Sequence, residues 1–571
     1  MRFDGGMSDA PWWQSSVVYQ IYPRSFADSD GDGIGDLPGI LSRLDHLSDL
    51  GVDVVWLSPV YRSPMDDNGY DISDYSDVDP LFGTLADLEA VIEGLHARGI
   101  KLVMDLVVNH TSDEHPWFQE SRDPASPKRD WYIWRPAREG HEPGTPGAEP
   151  TNWGSFFSGS GWQFDPKSGE YYLHLFSAKQ PDLNWENPEV RHAVYAMMRG
   201  WVERGVDGFR MDVINLISKT YPLVDGPANG PGGLCYDPSM VVEGPRLHEF
   251  LREMNREVGI SERGLFTVGE MVLVDVDDAR SHTDEAAGEL GMVFTFEHMN
   301  IDSGPSGLKW DVVPLSLPAL KANLAQWQYG LADVGWNSLY FENHDQPRSV
   351  SRFGDDGPEH RVASAKTLAT TLHLLKGTPY VYQGQELGMT NAGFASIDQY
   401  DDLESTRFYA EAVAGGADPE GLLGVIAFKS RDNARTPMQW DASPNAGFTT
   451  GTPWLPVTAN HVEINAKAAI ADPTSVFHHY RRLIELRHEL EVVRQGRFAL
   501  LLPDDEQLFA YTRTLDDEVL LVVANWSSQP AVLPSGPDTL PPLDGAELLL
   551  GTHDDPAEHL APWESRIYRL A

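Results

Sequence analysis

From residue 17 onward, short apolar runs alternate with longer stretches whose apolar positions recur every three to four residues. The runs fall at 17–22, 52–57, 101–108, 206–213, 265–271, 292–296, 336–341 and 378–383. Strands alternating with amphipathic helices predict a parallel α/β fold. Eight strands in one series favour a closed (β/α)8 TIM barrel over an open sheet. The intervening stretches carry helix punctuation. Thr84 with Asp87 reads as a capping box before Leu85, Leu88, Val91, Ile92 and Leu95, with Gly99 placed to end that helix. Asn187-Pro188 opens a second helix, with Val190, Val194 and Met198 on one face and Gly205 near its end.

Two stretches break the alternation. Residues 111–182 are rich in Trp, Pro, Gly and Ser and too long for a simple connection, so they are read as a small domain inserted after the third strand. A second, irregular excursion covers about 390–458. Toward the end the period changes to two, as in Phe509–Arg513 and Val519–Val523, which predicts a C-terminal all-β sandwich. The expected organisation is a barrel over 11–110 and 183–490, an inserted domain over 111–182 and a β domain over 491–571.

Composition narrows the function classes. The 571 residues carry 43 Lys and Arg against 86 Asp and Glu, a formal net charge of -43. That balance argues against nucleic acid and anionic membrane partners, both of which call for clustered cations. The single cysteine, Cys235, excludes an intrachain disulfide and a cysteine metal cluster. No run of about 18 apolar residues occurs, and residues 1–10 lack a basic start followed by an apolar segment. The expectation is a cytoplasmic protein, a monomer or small homo-oligomer acting on a small molecule.

In a barrel of this kind, chemistry gathers at the C-terminal ends of the strands. The third run ends Asp105-Leu-Val-Val-Asn109-His110, the fourth Arg210-Met-Asp212-Val213, the fifth Gly269-Glu270-Met271, and the seventh leads into Glu342-Asn-His344-Asp345. One acid in such a place is commonly a cap or an ion-pair partner. Three, with His110, His344 and Arg210 among them, point to a shared site. Converging carboxylates without a nucleophilic cysteine or a glycine-rich phosphate loop suit acetal chemistry. One protonated acid serves the leaving oxygen and one carboxylate serves the anomeric carbon. Arg210, two residues before Asp212, lies on the same strand face and is expected to keep Asp212 ionised. Glu270 would need a raised pKa to donate a proton near neutrality.

These strand-end segments resemble the conserved regions of the α-amylase superfamily. Gln180-Pro-Asp-Leu-Asn184-Trp, Asn343-His-Asp-Gln-Pro-Arg348, Tyr382-Gln-Gly-Gln-Glu386 and Arg431-Asp-Asn-Ala-Arg435-Thr-Pro-Met-Gln-Trp440 resemble its oligo-1,6-glucosidase and α-glucosidase branch, from about Trp12 to the C-terminus. The resemblance implies a retaining α-glucosidase with Asp212 as nucleophile, Glu270 as general acid/base and Asp345 as the third acid. It implies that His110, Arg210 and His344 bind the glucose being transferred, and that Asp71 in Asn68-Gly-Tyr-Asp71 pairs with Arg435 to grip the non-reducing end and make the action exo. Tyr70, Phe176, Gln180 and Val213 would line the pocket, and Glu386 would contact the leaving sugar. The branch often carries two Glu after Tyr-Gln-Gly, whereas this chain has Gln385 at the first. Val after the nucleophile accompanies α-1,6 preference in this branch and Ala α-1,4, which points to isomaltose and isomalto-oligosaccharides. Trehalose-6-phosphate hydrolases carry the same Val; a phosphorylated substrate would need basic residues near the outer subsite, which the sequence does not locate. A transglucosylating enzyme is a further alternative.

A second constellation, Asp28-Ser-Asp30-Gly-Asp32-Gly-Ile34-Gly-Asp36, alternates acids with small residues in the manner of a loop that wraps oxygen ligands around Ca²⁺. It departs from an EF-hand, because Gly39 stands where a bidentate Glu is required. The resemblance places a structural Ca²⁺ here, held by Asp28, Asp30, Asp32 and Asp36 with the carbonyl of Ile34, and Mg²⁺ is the alternative occupant. His248-Glu249 and His488-Glu489 lack the second histidine of a zinc-protease helix, and no G-x-S-x-G segment occurs.

Overall fold

The computed structural model describes residues 10–306, 308–534, 536, 539–553 and 559–571. The leader reading concerned residues 1–10, of which 1–9 lie outside that description. Eight parallel strands form the barrel: β1 (Val18–Ile21), β2 (Val54–Leu57), β3 (Lys101–Val107), β4 (Gly208–Asp212), β5 (Phe266–Glu270), β6 (Met292–Phe294), β7 (Ser338–Leu339) and β8 (Thr378–Tyr382). They pair in sequence order, β8 returns to β1, and a bridge between Val293 and Asn337 closes β6 onto β7. The closed barrel expected from eight apolar runs is therefore present. β7 is the shortest strand, two residues where six were expected, and Trp336 and Phe341 are buried beyond its ends.

Helix punctuation follows the sequence. In Leu85–His96 both halves of the Thr84/Asp87 capping box form, and Leu88, Val91, Ile92 and Leu95 are buried. Asn187 accepts from the amide of Glu189 to start Pro188–Glu203, which buries Val190, Val194 and Met198.

After β3 the chain leaves the barrel and forms a three-stranded antiparallel sheet from Trp134–Arg135, Glu170–Leu173 and Trp162–Asp165. Its own apolar core gathers Ile133, Trp153, Trp162, Tyr171 and Leu173, and that cluster continues into Val213 and Leu216. Thus one wall of the inserted sheet packs directly on the residue that follows Asp212. The excursion at 390–458 is less irregular than its sequence pattern: it holds the helices Leu403–Ala414 and Pro419–Lys429, opened by Asp402 and Asp418. Few of their residues are buried, so no strong apolar stripe marks them.

The C-terminal region is a five-stranded antiparallel sheet facing a two-stranded one. Period two sorts its strands between two cores. Leu508, Ala510, Leu521 and Val523 face Ala531 and Leu560 inside the sandwich, while Phe509, Tyr511, Leu520 and Val522 join the barrel core. No helix among the described residues is long and apolar enough to cross a membrane.

Candidate active site

Strand register brings the acids together. Asp105 lies opposite Arg210 across β3 and β4. Met211 lies opposite Gly269 across β4 and β5, which sets Asp212 beside Glu270 at the strand ends. Arg210 and Asp212 are two residues apart and so share the inward face. One guanidinium then binds three carboxylates. Arg210 Nη1 donates to Asp105 Oδ1 at 2.6 Å and to Asp212 Oδ1 at 2.7 Å, and Nη2 donates to Glu270 Oε2 at 2.5 Å.

Three buried acids against one cation cannot all ionise cheaply. Burial pushes Glu270 up to about 7, with the charges of Asp212 and Asp345 adding to the effect and Arg210 opposing it. Burial also pushes Asp212 up to about 6, assisted by Asp105 and opposed by Arg210 and a hydrogen bond with Glu270. The expected pairing of Arg210 with Asp212 is present and favours the ionised form, although loss of hydration outweighs it and leaves Asp212 above the usual carboxylate range. The order is preserved, with Glu270 the weaker acid. Asp345 behaves differently. Burial alone would raise it, but His344, Arg431 and Arg435 bring it well below the usual carboxylate range.

Val213 follows β4 directly and bends the chain away from the strand. Its φ of 34° is left-handed, a conformation that costs a β-branched residue of order 1–3 kcal/mol. The bend turns the Val213 amide toward Glu270, whose Oε2 accepts from it at 3.2 Å. It also turns the isopropyl group into the space above the acids.

That space is a cavity of about 130 Å³ lined by Asp212, Glu270 and Asp345 together with Tyr70, His110, Phe176, Gln180 and Val213. It continues outward into a second cavity of about 310 Å³, with Val213, Phe176, Glu270 and Asp345 at the junction. A larger cavity, about 650 Å³, lies at the other end of the barrel, beside Trp13, Thr267 and Trp336, and contains none of these acids. Volume alone does not identify the site.

The surrounding contacts fix the shape of the inner cavity. Gln180 Nε2 donates to Asp67 Oδ2 and to the Tyr70 carbonyl, both at 3.1 Å. His110 Nε2 meets the same carbonyl at 3.1 Å, so that nitrogen carries the proton; burial lowers the His110 pKa and keeps the ring neutral. The Phe176 ring packs 5.2 Å from His110. His344 is stacked on Tyr70 with centroids 5.2 Å apart. Its Nδ1 accepts from Gln20 Nε2 at 2.8 Å, leaving Nε2–H for Asp345 Oδ2 at 3.0 Å. Arg210 and His344 thus orient carboxylates from behind and do not line the inner cavity.

Three expected contacts fall elsewhere. Asp71 does not meet Arg435: its carboxylate accepts from Ser63 Oγ and the amides of Asp66 and Asp67, behind the pocket wall. Burial pushes it up to about 7. Arg435 donates to Asp345 Oδ1 at 2.8 Å and to the His344 carbonyl at 3.0 Å, and does not line the cavity. The pair at the wall is Asp67 and Arg431, 3.6 Å apart, and both line the cavity with Phe157. Left-handed turns at Asn68 (φ 50°) and Gly69 (φ 103°) separate Asp67 from Asp71. The run Asp66-Asp67-Asn68-Gly69 marks such a turn, but its sequence does not say which acid faces inward. Glu386 is wholly buried beneath the site, accepting from Tyr19 Oη at 2.9 Å, His46 Nε2 at 2.8 Å and the Gly384 amide at 2.9 Å. Gln385 accepts from the Tyr382 amide at 3.0 Å. Both residues brace the turn after β8 and lie outside both cavities.

Comparison with known proteins agrees with this geometry. Residues 20–496 match the family described as alpha amylase, catalytic domain. The chain is 56% identical over 567 residues to an oligo-1,6-glucosidase of Parageobacillus thermoglucosidasius, covering 98% of this chain and 99% of that one. It is 49% identical over 567 residues to the trehalose-6-phosphate hydrolase of Bacillus subtilis (strain 168), covering 98% of each. The crystal structure of Bacillus licheniformis trehalose-6-phosphate hydrolase superposes with a TM-score of 0.91 at 47% identity, over 98% of this chain and all of that one. With a full-length likeness of this strength and three acids at the ends of its barrel strands, the chain belongs to the α-amylase family of glycoside hydrolases, in its oligo-1,6-glucosidase and α-glucosidase branch.

Proposed function

We propose that this protein is a retaining, exo-acting α-glucosidase that favours α-1,6-linked isomalto-oligosaccharides. Asp212 attacks the anomeric carbon from the face opposite the leaving oxygen while Glu270 protonates that oxygen. The resulting β-glucosyl ester is hydrolysed when Glu270, now a base, takes a proton from water. The observation that carries this reading is the pair itself. Asp212 and Glu270 bind the two Nη atoms of one guanidinium, at 2.7 and 2.5 Å, which holds the two carboxyl groups close together as a retaining pair requires. Asp345, kept ionised by His344 and two arginines, grips sugar hydroxyls and favours the positive character of the transition state. Asp67 and Arg431 meet across the wall of the inner cavity, 3.6 Å apart, and this contact is taken to stop a longer chain from passing, which makes the cut exo.

The rate needs Asp212 ionised and Glu270 protonated. It therefore rises with pH through about 6 and falls through about 7. A narrow bell in kcat/KM between these apparent values, which belong to the coupled pair, is the expected profile. A plateau reaching well above pH 8 would contradict it.

Linkage preference rests on Val213, whose branched side chain stands where the inner and outer cavities meet. Val213→Ala is expected to raise the maltose-to-isomaltose ratio of kcat/KM by about tenfold or more, the effect of lost methyl groups in a tight pocket. An unchanged ratio would remove Val213 as the determinant.

A phosphorylated disaccharide is the second reading, and the outer cavity bears on it. Lys309, Arg352 and Lys429 line that cavity, but each is already paired. Lys309 meets Glu404 at 2.5 Å, and Arg352 and Lys429 both meet Asp302 at 2.7 Å. Cations matched by acids suit a neutral leaving sugar better than a phosphate dianion. Assays of isomaltose against trehalose-6-phosphate decide between the two, and faster cleavage of the glycosidic bond of trehalose-6-phosphate would favour the second.

The acidic loop is proposed to hold a structural Ca²⁺. Carboxylate oxygens of Asp28, Asp30 and Asp36 lie within 4.8 Å of one another, and Asp32 stands outside that group. Burial and its acidic neighbours raise the Asp32 pKa, the mark of a field that favours a cation. Chelation is expected to lower the melting temperature, and added Ca²⁺ to restore it in wild type but not in Asp30→Asn. Equal melting curves with and without chelator would exclude the ion.

A further inference from the structure

A cluster outside the active site carries metal-binding chemistry. His248 lies on the helix Leu247–Val258, which leads into β5; His282 lies on Val276–Thr283, and Glu289 lies in the approach to β6. Ligand atoms of the three side chains lie within 4.8 Å of one another. His248 Nδ1 and His282 Nδ1 both address Glu289 Oε2, at 2.9 Å and 2.8 Å. The two imidazole rings are stacked, with centroids 4.4 Å apart. Two rings so close, both aimed at one oxygen, gather three ligand atoms that one dication can bridge in place of the two protons.

The surroundings of the cluster fit the same assignment. The far nitrogen of His282, Nε2, meets Glu243 Oε2 at 2.8 Å. An outer carboxylate on the remote nitrogen is the partner that fixes the tautomer and raises the basicity of a metal-bound histidine. Arg252 Nε holds the other oxygen, Glu289 Oε1, at 2.8 Å and leaves Oε2 for an ion. His282 and Glu289 are fully buried, whereas the His248 side chain is 45% exposed and gives an entry route. None of these residues lines the catalytic cavities.

We propose that His248, His282 and Glu289 form a binding site for a transition-metal dication of the zinc type, with Glu243 as the outer carboxylate. Two imidazoles and one carboxylate suit zinc, whereas an oxygen-rich set suits calcium. The ion would tie the helix before β5, the helix after it and the entry to β6 into one unit, bracing the strand that carries Glu270.

The test uses the full-length protein, stripped with chelator and titrated with zinc, with bound metal read by elemental analysis after equilibrium dialysis and stability read by thermal melting. Wild type is expected to take up a single equivalent of zinc with a rise in melting temperature. His248→Ala, altered at the exposed ligand so that folding is preserved, should lose that equivalent. Glu243→Gln should weaken it by about 10–100-fold, and Asp30→Asn should bind as wild type does. A purely structural ion-pair network predicts instead that Glu243→Gln lowers the melting temperature equally with and without zinc. That result, or equal zinc binding by His248→Ala and wild type, or no saturable uptake by wild type, would overturn the proposal.

Discussion

Asp212→Ala is expected to lower kcat/KM for isomaltose by at least about 10⁴-fold, because no other group stands beneath the anomeric carbon to form the covalent intermediate. The loss should be chemical and not a failure to fold. Arg210 still has Asp105 and Glu270 as partners, so removing Asp212 strands no buried charge. Added azide should restore turnover and yield the β-glucosyl azide, since the small anion enters from the face that Asp212 vacates. Formation of the α-azide, or residual activity within about tenfold of wild type, would show that another group is the nucleophile.

Glu270→Gln is expected to cost about 10²–10⁴-fold for isomaltose, the usual range for a lost general acid/base. The cost should depend on the leaving group. A sugar alkoxide needs the proton, whereas p-nitrophenolate leaves without it, so the first step with p-nitrophenyl α-glucoside should be nearly preserved. The second step still lacks its base, and a burst of p-nitrophenol followed by slow turnover is the expected trace. A uniform loss on both substrates, with no burst, would assign Glu270 a role in binding alone. In the wild type, the value of about 7 for Glu270 also places the falling limb of the pH profile, and that limb should vanish in this variant.

The barrel was legible because buried parallel strands are continuous apolar runs, and the acids were legible because they follow those runs directly. Strand register then converts four sequence positions, Asp105, Arg210, Asp212 and Glu270, into one ion-paired cluster. What the sequence did not yield was the direction of side chains on irregular backbone. Asp67 and Asp71 are separated by two left-handed residues, and only the folded turn decides which faces the cavity. Arg431 and Arg435 both reach Asp345, so a motif containing both does not say which one lines the wall. Glu386 follows a strand end just as Glu270 does, yet it turns inward to Tyr19 and His46. The left-handed Val213 also left no sequence trace, because a β-branched residue is the last choice for that conformation. The His248, His282 and Glu289 cluster was out of reach of spacing arguments, since its members come from three separate segments.

The most direct test of the central claim is the anomeric configuration of glucose at the moment of release. Proton NMR of p-nitrophenyl α-glucoside cleavage, in which the only glucose released is the transferred one, read in the first seconds before mutarotation, is expected to show α-glucose appearing first. That is the outcome of two inversions through an ester on Asp212. Initial β-glucose would mean a single displacement by water and would contradict the account.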